Sequence, residues 1–415
     1  MSHHETADIA VIGAGAAGLM AAYWAAKSNP RLRVVALDGA VKLGAKILVA
    51  GGGRCNVTHD EVSEAAYAGS TRPAIRKVLK RFDVGRTVGF FNDYDVELKR
   101  EDSGKLFPVT DQARTVLDGL LRATESVGVR VWHPRRVEHI TRGDDLFMIR
   151  GGWGDLPARR VILATGGKSL PKSGSDGQGY TFAQSFGHSL TPRITPSLVP
   201  LLLPNDHPLT ALAGISAPVR LALHDGRGKL LVSFDDSLLC THFGVSGPAP
   251  LDISRYLIDS RADDPAAAVR VNWLPDIAPE QSDTALVEAG KLTPLRWIAG
   301  RLPERLTRTL CTEAGIDPAA PLSNLTRPQR QNLARALTAY VLPISGDRGY
   351  TYAEVTAGGV PLSELDLKTL ESRVTPGLHL CGEICDVDGR IGGYNFQWAW
   401  ASGYVAGISA AEAFG

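Results

Sequence analysis

Apolar residues open the chain in one short run at 8–12 (Asp-Ile-Ala-Val-Ile), and the pattern then changes abruptly. Small residues fill 13–18 (Gly-Ala-Gly-Ala-Ala-Gly), and an Ala-rich stretch carries on to 22. An unbroken apolar run of that length predicts a buried strand, and the stretch behind the glycines predicts a helix. A second run, 33–37 (Arg-Val-Val-Ala-Leu), predicts the next strand, so the chain opens on a βαβ unit. Further along, 74–82 predicts a short basic helix and 113–127 an amphipathic one. Runs at 129–132, 136–140, 146–150 and 160–163 lie between Gly, Asp and Pro turns and predict strands.

The pattern shifts at Thr195. Short strands are predicted at 198–203, 219–223, 230–234 and 269–274, around Gly and Pro turns. Residues 240–248 (Cys-Thr-His-Phe-Gly-Val-Ser-Gly-Pro) read as a glycine-rich turn that opens a helix. Residues 280–342 are helical in pattern, with Pro294, Pro303 and Pro328 near expected helix starts. The α/β pattern of the first 194 residues resumes with a strand at 377–383 that ends in Gly382-Glu383, and a long helix behind Gly392-Gly393. The chain therefore divides into a first part at 1–194, an insert at 195–345 and a return at 346–415. Within the insert, 195–275 is the β part and 276–345 the helical part. The fold class is multi-domain α/β.

Composition narrows the function classes. A chain of 415 residues is long enough for two or three domains. The 45 basic and 44 acidic residues give +1, so bulk charge selects no polyanionic partner and local patches must do so. No hydrophobic leader region opens the chain and no run of 18 apolar residues follows, which reads as a soluble cytoplasmic protein. Five cysteines without a framework of spacings argue against disulfides. Cys381 and Cys385, spaced C-x-x-x-C, read as core thiols, with a redox pair as the alternative. No metal site is expected. His3 and His4 read as part of a disordered start rather than as ligands.

The candidate chemistry begins at the glycines. In Gly13-x-Gly15-x-x-Gly18 the first glycine permits a tight turn, the second lets a diphosphate approach, and the third lets helix and strand pack closely. A diphosphate then meets unpaired N–H groups at a helix N-terminus. Asp38 ends the second strand, 20 residues beyond Gly18, where a carboxylate meets a ribose hydroxyl pair. Downstream, Gly51-Gly52-Gly53-Arg54-Cys55-Asn56 lets backbone approach a ligand, with Arg54 and Asn56 as donors. The strand end Ala164-Thr165-Gly166-Gly167 has small residues that let a cofactor pass over it. Glu383, a Gly-Gly turn and a helix start form a second anion-friendly site, suited to the N1/C2=O edge of a reduced flavin. No second G-x-G-x-x-G follows a strand, so no dedicated NAD(P) domain is expected.

Taken together, residues 13–18, Gly-Gly-Gly-Arg-Cys-Asn at 51–56, Phe107-Pro108, Thr165-Gly166-Gly167 and Thr241-His242-x-Gly244-x-Ser246-Gly247-Pro248 resemble a known family. So do Thr356-Ala357-Gly358-Gly359-Val360 and Gly382-Glu383…Gly392-Gly393-Tyr394-Asn395. The family is that of the BaiN/YhiN-like, or aminoacetone-oxidase-like, bacterial flavoproteins, and the resemblance covers nearly the whole chain. It implies a glutathione-reductase-type Rossmann FAD domain split by an insert with a β-barrel part and a helical part. It places Gly13, Gly15, Ala16, Ala17 and Gly18 at the pyrophosphate of non-covalent FAD and Asp38, where the family usually has Glu, at the adenosine ribose. Val137 is implied to give adenine backbone contacts. Lys46, Gly53, Arg54, Cys55, Asn56, Thr165 and Gly166 line the cofactor. Gly382 and Glu383 meet the ribityl chain, and Gly393, Tyr394 and Asn395 the flavin ring.

Family members act in three ways: reduction of enone-type C=C bonds in steroid-like acids, reduction of a uracil ring in ribosomal RNA, and oxidation of small aminoketones. The first expectation is reduction of an activated C=C bond, with NAD(P)H visiting the substrate face transiently. The alternatives are an oxygen-using oxidase, or a flavin-bearing RNA-binding or redox-sensing protein without fast turnover. His242 reads equally as the proton donor, since histidine exchanges protons near neutral pH, or as a residue that positions its turn. No membrane and no obligate protein partner are expected, and the substrate is either a small molecule or RNA. Arg76, Lys77, Lys80 and Arg81 share one side of their helix, flanked by Arg72 and Arg86. The insert adds Arg296, Arg301, Arg305, Arg308, Arg327, Arg330 and Arg335, with few compensating acids expected. These charges read as a solvated face, or as a phosphate-tracking surface.

Overall fold

The structure, a computed structural model, describes residues 6–415, so His3 and His4 lie outside the described residues. It contains two compact units. One runs to Pro196 and resumes at Glu354–Gly415; the other is Ser197–Ala353.

The first unit is built on a mixed sheet. Across it lie Arg130–Trp132, Val34–Leu37, Ala7–Ile12, Gly154–Leu163, Phe147–Gly151 and His139–Arg142, with Leu378–Leu380 also pairing with Gly154–Leu163. Ala7–Ile12 is parallel to both of its neighbours, and Leu378–Leu380 joins in parallel. Strands covered on both faces must be apolar throughout, which is why 8–12 and 33–37 read as continuous runs rather than alternating ones. Ile9, Ala10 and Val11 are fully buried.

Helix Ala16–Ser28 packs on the final helix, Tyr394–Glu412. Small residues at helical spacing let the two backbones touch. A Cβ on Gly403 would lie 2.6 Å from the Ala17 carbonyl oxygen, and one on Gly407 2.2 Å from that of Ala21. Cys381 and Cys385 are buried free thiols, and burial pushes both well up in pKa. The core reading therefore holds over the redox pair.

Several boundaries move. The basic helix is Arg72–Leu79, so Lys80 and Arg81 lie in the turn that follows. A helix at Val84–Asn92 stands where none was expected, its N-cap Asp83 accepting from the Arg86 N–H. The strand expected at 136–140 forms at His139–Arg142, which leaves Val137 in a loop. The strand expected at 160–163 starts at Gly154, because a tight turn folds it back onto Phe147–Gly151.

The insert carries an antiparallel sheet in the order Tyr340–Val341, Ala268–Asn272, Ser216–His224, Leu230–Thr241, Gly244–Ser246, Leu201–Leu202 and Gly346–Asp347. The outermost strands do not pair with each other among the described residues, so the sheet is open where a barrel was expected. Each is two residues long, too short to carry the stagger that closing a barrel requires. Ser216–His224 alternates cleanly, with Ala217, Val219, Leu221 and Leu223 in the core. The helical part starts where its prolines stand. Pro294 opens Pro294–Ile298, Pro303 caps Glu304–Glu313, and Pro328 sits in the first turn of Arg327–Thr338.

Candidate cofactor-binding site

The three glycines of the first turn differ in what constrains them. Gly13 has φ +100°, and a Cβ there would meet the Ala164 carbonyl oxygen at 2.5 Å. A Cβ on Gly18 would lie 1.8 Å from the Gly13 carbonyl oxygen. Gly15 is different: nothing lies within 4 Å of a Cβ there. Two glycines are thus demanded by the protein's own packing, and the third faces open space at the N-cap of Ala16–Ser28. That helix has no side-chain cap and no acidic residue in its first turn, so its orphan N–H groups suit an added anion.

Asp38 closes the loop from the next strand. Its Oδ2 accepts from the Ala14 N–H (2.7 Å) and its Oδ1 from the Ala40 N–H (2.8 Å). Each oxygen of a carboxylate has a further lone pair for a ligand. The Asp38 carbonyl accepts from the Arg135 N–H (2.6 Å), which brings the loop holding Val137 alongside. The Val137 side chain is buried, while its backbone N–H and carbonyl have no partner among the described residues.

Lys46 and Glu383, far apart in sequence, form a half-buried ion pair at 2.5 Å. The other Glu383 oxygen accepts from the Thr356 N–H at 2.9 Å. The turn under Glu383 is held by the final helix. Ser402 Oγ accepts from the Gly382 N–H (2.9 Å), and Trp398 Nε1 donates to the Gly382 carbonyl (3.0 Å).

Gly51, Gly52 and Gly53 all have positive φ, and they unwind the end of a helix that starts at Ala45. Arg54 then turns to the protein: its Nη1 donates to Glu101 at 2.7 Å, and its guanidinium lies 4.0 Å over the Phe107 ring. Burial pushes the Cys55 thiol up to about 12. Asn56 Oδ1, Thr165 Oγ1 and Ser175 Oγ are buried without a hydrogen-bond partner among the described residues. A Cβ on Gly166 would lie 2.5 Å from that Ser175 oxygen.

Gly393, at φ +90°, caps the final helix, which also lacks a side-chain cap and a first-turn acid. The Tyr394 ring stacks on His59 at 5.0 Å, and its carbonyl accepts from Tyr67 Oη at 2.8 Å. Asn395 is committed to the fold, its amide bonding both the N–H and the carbonyl of Gly389 (2.8 and 2.9 Å). One group escaped the sequence reading. Buried Gln397 accepts from Thr58 Oγ1 (2.7 Å) and Thr87 Oγ1 (2.9 Å), fixing the segment that Gly393 packs against. An amide in an otherwise apolar helix face was the available signal.

His242 belongs to the insert. It is exposed in a two-residue turn closed by the Thr241–Gly244 pair, and its ring nitrogens have no hydrogen-bond partner among the described residues. A short strand at Gly244–Ser246 intervenes before the helix Pro248–Asp263, so the turn does not open that helix directly. The insert's arginines are less free than expected. Arg301 pairs with Asp276, Arg308 with Glu304 and Arg330 with Asp283, at 2.6, 2.6 and 2.7 Å. On the basic helix only Arg76 forms an ion pair among the described residues, with Glu64. No helix among the described residues is long and apolar enough to cross a membrane.

An open cradle at Gly15, two uncapped helix N-termini and three orphaned buried oxygens fit FAD, whose diphosphate, ribityl chain and ring would supply partners for them. That frame, with its parallel strands, defines a FAD-dependent oxidoreductase. The chain belongs to the HI0933-like family, whose model, described as HI0933-like protein Rossmann domain, matches residues 7–409. It is 37% identical to a 3-dehydro-bile acid delta(4,6)-reductase of Clostridium scindens, over 97% of this chain and 99% of that one. It is 34% identical to a ribosomal RNA dihydrouridine synthase of Escherichia coli, over 97% of each. Among solved structures, 3-ketosteroid delta1-dehydrogenase from Sterolibacterium denitrificans shares the fold at a TM-score of 0.55 and 12% identity, over 99% of this chain and 100% of that one.

Proposed function

We propose that this protein saturates a C=C bond conjugated to a carbonyl, with NAD(P)H as the electron donor. The two relatives' names support that reading through shared chemistry. A 3-oxo group conjugated to a C4 double bond and the C5=C6 bond of uracil beside its C4 carbonyl are both activated alkenes. FAD, when bound, would supply the hydride chemistry that links NAD(P)H to the β-carbon of such an alkene. The open cradle at Gly15 is the observation that carries the cofactor assignment.

The chain's residues then take these roles. Gly15, Ala16 and Ala17 hold the diphosphate at the helix N-terminus, while Gly13 and Gly18 shape the turn. Asp38 takes the ribose and the Val137 backbone takes adenine. Lys46 and Glu383 orient the ribityl chain, and Gly382 fixes Glu383. Gly53, Asn56, Thr165 and Gly166 border the cofactor. Arg54, Cys55, Tyr394 and Asn395 act by shaping the walls, since their polar groups are spent on the protein or buried. The helix end at Gly393 favours the anionic edge of the reduced ring. His242 gives a proton to the α-carbon, which completes the addition of two hydrogens.

The test is steady-state consumption of NADH and NADPH with a 3-oxo-Δ4 steroid acid and with unmodified ribosomal RNA, the product read by mass spectrometry. Saturation of either substrate is the expected result. Oxygen consumption with an aminoketone, and no saturation of an alkene, would replace this reading with an oxidase.

The RNA form of the reading has one observation of its own. Arg72, Arg76, Lys77, Lys80, Arg81 and Arg86 are all exposed on the short helix Arg72–Leu79, the turn behind it and the start of the next helix, with a single carboxylate pair among the described residues. If they track phosphates, RNA affinity falls with salt at a log–log slope of about −0.7 per phosphate neutralised. Replacing Arg76, Lys77, Lys80 and Arg81 by Glu abolishes RNA binding and leaves the flavin spectrum intact. Wild-type protein with no salt-dependent RNA affinity would assign the substrate to the small molecules.

A further inference from the structure

In the first unit, the glycine turn at 51–56 and the Gly392-Gly393 turn both meet one short strand. Strand Lys105–Pro108 pairs antiparallel with Thr58–His59, and His59 stands opposite Lys105. Side chains two apart in a strand point the same way, so Lys105 and Phe107 share a face. At one end of that face, Phe107 Cε1 lies 3.2 Å from where a Cβ on Gly51 would stand, and Asn56 flanks the same glycine. At the other end, Lys105 Cε and His59 Cδ2 each lie 3.6 Å from the equivalent position on Gly392.

His59 is spent on the protein. Its Nε2 meets the Ser103 carbonyl at 3.0 Å, and its Nδ1 accepts from the Glu61 N–H at 3.1 Å. Lys105 is not. It is half-buried, and its amine makes no hydrogen bond and no ion pair among the described residues. The other cations here are paired: Lys99 with Asp111, Arg100 with Asp60, and Arg54, which covers the Phe107 ring, with Glu101. Beside Lys105, the helix Tyr394–Glu412 starts without a side-chain cap or a first-turn acid, so its end is also positive. A cation at a helix N-terminus is unfavourable alone and becomes favourable once an anion joins them. At the far end of the face, Asn56 Oδ1 is buried without a partner among the described residues, an acceptor that a ligand N–H would satisfy.

We propose that Lys105 is a cofactor-binding residue whose ammonium, together with the helix end at Gly393, stabilises the negative N1/C2=O edge of the reduced flavin ring. The inference rests on the reading that the ring lies against Gly393. The oxidised ring is neutral and the charge on that edge comes with reduction. Lys105 therefore favours the reduced cofactor over the oxidised one and raises its midpoint potential.

The test reads the bound flavin rather than turnover. Full-length protein with FAD is reduced stepwise against a reference dye, which gives the midpoint potential. The spectrum of the fully reduced form across pH then shows where N1 takes up a proton. Lys105→Gln is expected to disfavour the two-electron reduction by about tenfold, a fall of about 30 mV. The same variant should protonate N1 at higher pH, since a positive neighbour has gone. Lys105→Arg keeps the charge and stays within about threefold of wild type. FAD content and the melting temperature of the oxidised protein stay unchanged in both variants. A wild-type potential and a wild-type reduced spectrum in Lys105→Gln would overturn the role of Lys105. Loss of FAD or a lowered melting temperature in both variants would assign Lys105 to the fold and overturn it as well. A wild-type reduced flavin that is neutral at pH 7 would overturn the placing of the anionic edge at Gly393, and the inference with it. Neither readout uses NAD(P)H or an alkene, so a failure to saturate C=C bonds would overturn the reductase reading alone.

Discussion

Replacing Gly15 by valine yields a folded protein without FAD. The residue has φ −83° and ψ −164°, an extended conformation open to any side chain, and a Cβ there meets no protein atom within 4 Å. The branched side chain instead fills the space at the helix N-terminus where a diphosphate would approach. The variant should be colourless, and it should melt where FAD-stripped wild type melts, since it loses only the stabilisation that ligand binding adds. Wild type, by contrast, should release all its FAD on heating, as non-covalent attachment requires. Gly18→Ala behaves in the opposite way. Its Cβ would lie 1.8 Å from a backbone oxygen, so helix and strand must separate, at about 3 kcal/mol, whether or not FAD is present. Full flavin occupancy in Gly15→Val, or equal melting of the two variants, would refute the assignment of Gly15 to the cofactor.

That contrast marks how far the sequence was legible. All three glycines were readable from their spacing, and the spacing names a turn, an approach and a packing contact. Which of the three faces empty space depends on Ala164 and the Gly13 carbonyl, which arrive through tertiary structure. The parallel strands were plain because burial on both faces leaves them apolar throughout. The helix Val84–Asn92 was not plain, because Gly85 and Gly89 dilute its pattern. The open sheet of the insert was hidden for another reason, since its two-residue end strands carry no period at all. Charge neutralisation divides the same way. Glu304 lies four residues before Arg308 and was readable locally, whereas Asp283 reaches Arg330 from 47 residues away. The Lys46–Glu383 pair, 337 residues apart, lies beyond any local pattern, although each residue was a candidate on its own.

Replacing His242 by alanine lowers turnover by about 10² to 10⁴, the usual worth of a positioned proton donor. The rival role, holding its turn in place, needs a contact through which to act. The ring makes no hydrogen bond among the described residues, and the turn is closed without it, by the Thr241–Gly244 pair and the Leu203 N–H on the Phe243 carbonyl. The ring lies edge-on to Phe243 at 5.0 Å. The two roles therefore separate in the kinetics. A lost proton donor lowers kcat, leaves the affinity for the 3-oxo-Δ4 steroid acid or the ribosomal RNA unchanged, and is partly rescued by added imidazole. A disturbed turn moves Phe243, so it weakens substrate binding as well as turnover and resists rescue. Turnover of His242→Ala within about threefold of wild type would remove the residue from the proton transfer. Loss of FAD together with activity would show that the substitution acted on the fold instead.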